Sequence, residues 1–108
     1  MRVNITARHY KTSERLKEHA TQEVQKLDKF YEGIISCEVI LDSQKLEQIT
    51  EIIIHVQGNR LTAVEKSEDI YKSIDLAVAK LERQLKKYKG KMQQFNVEKI
   101  QENTRAAM

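Results

Sequence analysis

The sequence predicts an α+β fold of order βαβββα, a four-stranded mixed sheet carrying two helices on one face. Three observations lead there. Four stretches alternate apolar and polar residues with the period of a strand, one at the N-terminus and three between residues 34 and 66. Two longer stretches repeat their apolar residues at steps of three and four, the signature of a helix with one buried side. The last three strands follow one another closely and so form an antiparallel meander. The first returns through a helix, which permits parallel pairing with a neighbour.

In Arg2–Arg8, Val3, Ile5 and Ala7 share one face while Asn4, Thr6 and Arg8 share the other, giving the first strand. Thr12 or Ser13 can cap the helix that follows, and Glu14 suits its positive end. Leu16, Ala20, Val24, Leu27 and Tyr31 mark its buried side, predicting a helix over 13–31 closed at Gly33. The second strand spans 34–41, with Ile35, Cys37, Val39 and Leu41 inward and Ser36, Glu38 and Asp42 outward. A polar connection over 42–48 leads to the third strand, where Ile52, Ile54 and Val56 point inward and Glu51, Ile53, His55 and Gln57 outward. Gly58-Asn59 reads as a two-residue hairpin loop. The fourth strand, 61–66, turns Leu61 and Ala63 inward and leaves Val64 outside.

Asp69 is placed to cap the long helix that ends the fold, and Gly90 to close it. Ile70, Ile74, Ala77, Leu81, Leu85 and Tyr88 form its apolar stripe. At about 100° per residue, Lys72, Lys80, Arg83, Lys87 and Lys91 fall on a flanking stripe, with Asp75 and Glu82 on the opposite flank. Both helices have one apolar side, so both belong on the same face of the sheet. The other face, with Asn4, Thr6, Glu38, Glu51, His55 and Thr62, is expected to be mostly solvated. Residues 1–92 are read as one domain, and the polar residues 93–108 as a flexible tail with some helical tendency.

The charge is unevenly placed. Lys80 to Lys91 carries +5 while the remainder of the chain sums to −2, for a net +3. Concentrated cations on a rigid helix suit a polyanion. There is no apolar run of 18 residues and no signal-peptide pattern, so a soluble, cytoplasmic protein without membrane contact is expected. The lone Cys37 forms no internal disulfide and reads as a small core residue.

Little in the chain suits catalysis. His9, His19 and His55 are not paired at metal-ligand spacing, there is no Cys-x-x-Cys, and the three glycines stand apart rather than in a phosphate loop. Glu68 and Asp69 lie at a helix start, where capping accounts for them. No enzyme activity, metal, cofactor or small-molecule substrate is expected.

Three segments carry a family resemblance. The helix DIYKSIDLAVAKLERQLKKYKGK (69–91), the strand VNIT (3–6) and KLDKFY (26–31) together resemble the ribosome hibernation-promoting and ribosome-associated inhibitor proteins, the protein Y or sigma-54 modulation family. The resemblance spans residues 1 to about 92 in the same element order. It implies a sheet-and-two-helix domain similar to double-stranded RNA-binding domains. It also implies a stress or stationary-phase factor that occupies the small-subunit decoding channel, across the mRNA path and the A and P tRNA sites, and stops translation by steric exclusion.

The implied partners are the small ribosomal subunit and its rRNA, contacted by Lys80, Arg83, Lys86, Lys87, Lys89 and Lys91 with Lys26 from the first helix, joined by Lys17 and Lys29. The free protein is expected to be monomeric. With about sixteen residues after Met92 the chain looks like a short form. Whether it promotes ribosome dimers or holds monosomes idle stays open. Among the aromatics, Phe95 in the tail is the one expected to reach RNA or peptide, with Tyr88 assigned to the core and Tyr31 and Tyr71 able to fill the sheet edge. A generic double-stranded RNA-binding module and a protein dimerising through its sheet edge are the competing readings.

Overall fold

The computed structural model describes residues 1–9 and 11–106, with side chains described as far as Gly90. Its elements are β1 (Arg2–Arg8), α1 (Glu14–Gln25), a 3-10 turn (Lys26–Lys29), β2 (Ile34–Gln44), β3 (Glu47–Val56), β4 (Asn59–Ser67) and α2 (Ile70–Ala106). The four strands form one sheet in the order β1-β2-β3-β4, and β1 pairs parallel to β2 while the other neighbours are antiparallel. The mixed βαβββα sheet is the architecture anticipated above. α2 lies over β3 and β4 with α1 beside it, and a single core joins both helices to one face of the sheet.

Caps start both helices. Ser13 Oγ accepts from the Leu16 amide at 3.1 Å, and Asp69 Oδ1 accepts from the Tyr71 amide at 2.9 Å. In α2, Ile70, Ile74, Ala77, Leu81 and Leu85 are buried, against Cys37, Val39, Leu41, Ile52 and Ile54 from the central strands. Burial pushes the Cys37 thiol up to about 12, with the Glu38 and Asp28 charges adding to the effect. The thiol keeps its proton at neutral pH and acts as a small apolar filler.

Six local readings are corrected. The first helix does not run to Tyr31: α1 stops at Gln25 and tightens into the 3-10 turn, which keeps Leu27 buried and presents Phe30 at its end. Ile35 does not face inward. Pairing jumps from Ile34↔Val56 to Ser36↔His55, so Ile35 is the extra residue of a β-bulge; Ile34 takes the buried place and Ile35 is 61% exposed.

The polar stretch 42–48 is not a loose connection. β2 and β3 continue to the Gln44↔Glu47 pair around a two-residue turn, Lys45-Leu46, and Lys45 takes the positive φ of 56° that such a tight reversal demands. The other hairpin turns on Gln57-Gly58, one residue earlier than expected, because Asn59 already pairs with Val56 and Gly58 supplies the φ of 76°. Finally, Gly90 does not end α2; it is a residue of the helix with nothing within 4 Å of where a Cβ would stand. The predicted boundary at 92–93 lies beyond the last described side chain.

Gly33 has a different role from the helix stop assigned to it. A Cβ there would lie 2.7 Å from the Tyr31 ring, so glycine makes room for that ring. Thr50 is the internal irregularity of β3: fully buried on the core side, its hydroxyl has no hydrogen-bond partner among the described residues. Thr50→Val keeps the shape and removes an unsatisfied polar atom, and is expected to raise stability by about 1 kcal/mol. A chemical-denaturation midpoint that falls in this variant would show the hydroxyl to be bonded.

The uncovered face of the sheet is less polar than expected. The register sets Glu51 opposite Ile40 and Val64, with Ile49 and Ile53 on either side of it along β3. The three isoleucines are half-buried by their neighbours, and Val64 is 41% exposed.

Candidate nucleic-acid interface

The cations of α2 are positioned by what the helix buries. With Leu81 and Leu85 locked in the core, the intervening residues must point outward at fixed angles. Two flanks result. On the β4 side, Lys80 Nζ stands 3.9 Å from Glu65 and Gln84 Nε2 donates to the Thr62 carbonyl oxygen at 3.0 Å; Arg83 and Lys87 rise outward from this flank, exposed. On the α1 side, Asp75 Oδ1 meets His19 Nε2 at 2.8 Å, and Lys86 Nζ lies 5.1 Å from the centroid of the Phe30 ring. Lys89 follows Lys86 by one turn along this side.

The cations expected to bind RNA are therefore not one row. Lys80, Arg83 and Lys87 belong to the β4 flank and crest, while Lys86 and Lys89 belong to the flank nearer α1. Among the described residues, Arg83, Lys86, Lys87 and Lys89 form no ion pair, so their charge is available to an outside anion. The Lys80–Glu65 pair is long and half-exposed on both sides and restrains Lys80 only weakly. The Lys91 side chain lies outside the described residues, as does that of Phe95.

Lys26 is differently placed. Its ammonium is ion-paired and hydrogen-bonded to Glu23, and its pKa is raised by that bond and by the Glu23, Asp75 and Glu82 charges. Its nearest counter-ion is thus a carboxylate one turn earlier on the same stretch of chain. Lys17 stands 3.9 Å from Glu14, while Lys29 is exposed in the 3-10 turn.

Each histidine lies against a carboxylate from another element, which the linear spacing did not reveal. His9 Nδ1 is 2.9 Å from Asp42, His19 is 2.8 Å from Asp75, and His55 is 3.7 Å from Glu38. The hydrogen bond from His9 leads the causes that hold Asp42 below the usual carboxylate range, with the Ser43 amide adding to it. His19, Glu23 and Asp75 bring ligand atoms within 4.8 Å of one another. The His19 and Glu23 spacing of i, i+4 was the available signal for this cluster. Lys26 already compensates its negative charge from within the chain.

The chain matches the family model described as sigma 54 modulation protein / S30EA ribosomal protein over residues 3–93. The chain belongs to this family. Among its relatives, the ribosome hibernation promoting factor of Pseudomonas putida is 32% identical over 93 residues, covering 86% of this chain and 91% of the relative. That of Escherichia coli K12 is 33% identical over 94 residues, covering 87% of this chain and 99% of the relative. In structure, a ribosomal subunit interface protein from Coxiella burnetii superposes with a TM-score of 0.79 at 29% identity, covering 83% of this chain and 99% of that one. The N-terminal domain of Thermus thermophilus protein Y shares the fold, with a TM-score of 0.76 at 24% identity over 82% of this chain and 99% of that one. No described helix of this family member is long and apolar enough to cross a membrane.

Proposed function

We propose that this protein is a cytoplasmic ribosome hibernation factor that binds the small ribosomal subunit in the decoding channel and blocks translation by steric exclusion. The observation that carries the reading is a set of exposed cations, Arg83, Lys86, Lys87 and Lys89, that form no ion pair among the described residues, on a helix held rigidly by its buried face. Family membership supplies the ribosome as the setting. Phosphate groups of rRNA form a dense, fixed array of anions. Lysines on a rigid helix engage such an array by shape and charge without reading bases, and Arg83 can grip one phosphate with two parallel hydrogen bonds. The protein transforms nothing in this role and needs no cofactor; it occupies space that mRNA and the A-site and P-site tRNAs would fill.

Salt titration of binding to purified small subunits tests the mechanism. If about six phosphates are neutralised, affinity falls on the order of a thousandfold between 50 and 200 mM monovalent salt. A flat response would refute a phosphate-dominated interface. Binding a free RNA duplex as tightly as the intact subunit would instead favour the general duplex-binding module.

A further inference from the structure

Phe30 sits where the 3-10 turn ends, half-buried, packed on one side against the core. Towards the solvent it carries the Lys86 ammonium, 5.1 Å from the ring centroid. The two tyrosines behind it satisfy each other, Tyr31 and Tyr88 meeting edge to face with centroids 5.5 Å apart and planes at 89°. Phe30 has no such aromatic partner among the described residues. Its outer contact is a flexible, exposed lysine, and exposed Lys29 and Lys89 stand on the two elements that meet there.

A ring anchored at its inner edge, with cations around it, has the composition of a single-strand binding platform, where the aromatic face takes a base and the lysines take the backbone. An exposed ammonium over a benzene ring is held weakly and can leave without breaking an ion pair. A base stacking on Phe30 would displace the Lys86 ammonium towards the phosphate of the same nucleotide. A duplex hides its bases from such a platform, whereas loops and bulges offer theirs.

We propose that Phe30 and Lys86 together form a nucleotide-binding element that stacks one unpaired base of RNA on the ring and pairs its phosphate with the lysine. The proposal rests on the RNA-binding reading above and adds to it a preference for an unpaired nucleotide at one defined place. Phe30→Leu keeps the apolar anchor and removes the aromatic face; Phe30→Trp keeps a face and adds a fluorophore to a chain without tryptophan; Lys86→Met keeps the alkyl stem and removes the charge.

The experiment measures salt-dependent binding of the wild type and these variants to purified small subunits, and the emission of Phe30→Trp with a single-stranded RNA oligonucleotide and its duplex. Phe30→Leu is expected to bind subunits about tenfold more weakly with an unchanged salt slope. Lys86→Met is expected to lower that slope by about one. Phe30→Trp is expected to retain affinity and to be quenched by the single strand and not by the duplex. If wild type binds with a steep salt slope while Phe30→Leu matches it in affinity, the platform is refuted and the cationic interface stands. If wild type shows no salt-dependent binding, the underlying RNA-binding reading fails first. Should Phe30→Leu melt early, the tryptophan emission decides: unchanged emission with single strand overturns the proposal.

Discussion

Reversing two charges at once, in Arg83→Glu with Lys87→Glu, is expected to weaken binding to ribosomes about a thousandfold while leaving the fold in place. The counterion-release slope makes one phosphate contact worth about 1 kcal/mol near 0.15 M salt. Losing two contacts and adding two repulsions of similar size gives about 4 kcal/mol. Neither side chain enters the core, and neither forms an ion pair among the described residues. The melting temperature should therefore stay within about 3 °C of the wild type, the usual scale for surface changes in a domain of this size. Co-sedimentation with ribosomes and thermal melting by circular dichroism read the two quantities separately. A double variant that still pellets with ribosomes at moderate salt would remove α2 from the interface.

The opposite separation is expected for Leu85→Ala. Leu85 is completely buried, on the stripe that holds the segment bearing Arg83, Lys86 and Lys87 against the sheet. Truncation leaves a cavity and costs about 3 kcal/mol, within the range for buried leucines. In a domain of roughly a hundred residues that lowers the melting temperature by more than about 10 °C. Below its new melting point the variant should bind ribosomes with nearly wild-type affinity, since no cation has been removed. A loss of binding at temperatures where the fold remains intact would show that the helix must be held more tightly than its charges alone require.

These contrasting expectations follow from the part of the molecule most legible in the sequence. The α2 stripe and the alternation of Ile52, Ile54 and Val56 were readable because long periodic segments with one buried side leave little freedom of register. Features set by a single residue's relation to a distant one were not. Ile35 looks like any inward isoleucine until the β3 register makes it the bulged residue. The Lys45-Leu46 turn carries no glycine, asparagine or proline to announce it, and its positive φ is imposed by strands that remain paired on both sides.

The candidate interface shows the same division. That α2 is basic on its outer side was visible in its spacing. Angular position alone did not say which neighbour each flank would meet. Lys86 lies towards α1 and covers Phe30, which the tighter turn after Gln25 presents, while Lys26 pairs with Glu23. Gly90 misled for a simple reason. A glycine next to a helix end usually stops it, but an exposed glycine that meets nothing can also be carried inside one at a cost of about 1 kcal/mol.

The parallel seat of β1 has an entropic consequence. Each hairpin brings its strands together across a two-residue turn, whereas β1 and β2 meet only after the chain between Arg8 and Ile34 has been closed into a loop. On the logarithmic scale of loop closure that is about 2 kcal/mol more chain entropy than a hairpin requires. The half-buried Val3 and Ile5 are what the strand has to set against it. Of the sheet's two edge strands, β1 thus carries the larger closure cost, at the border farthest from the cationic helix.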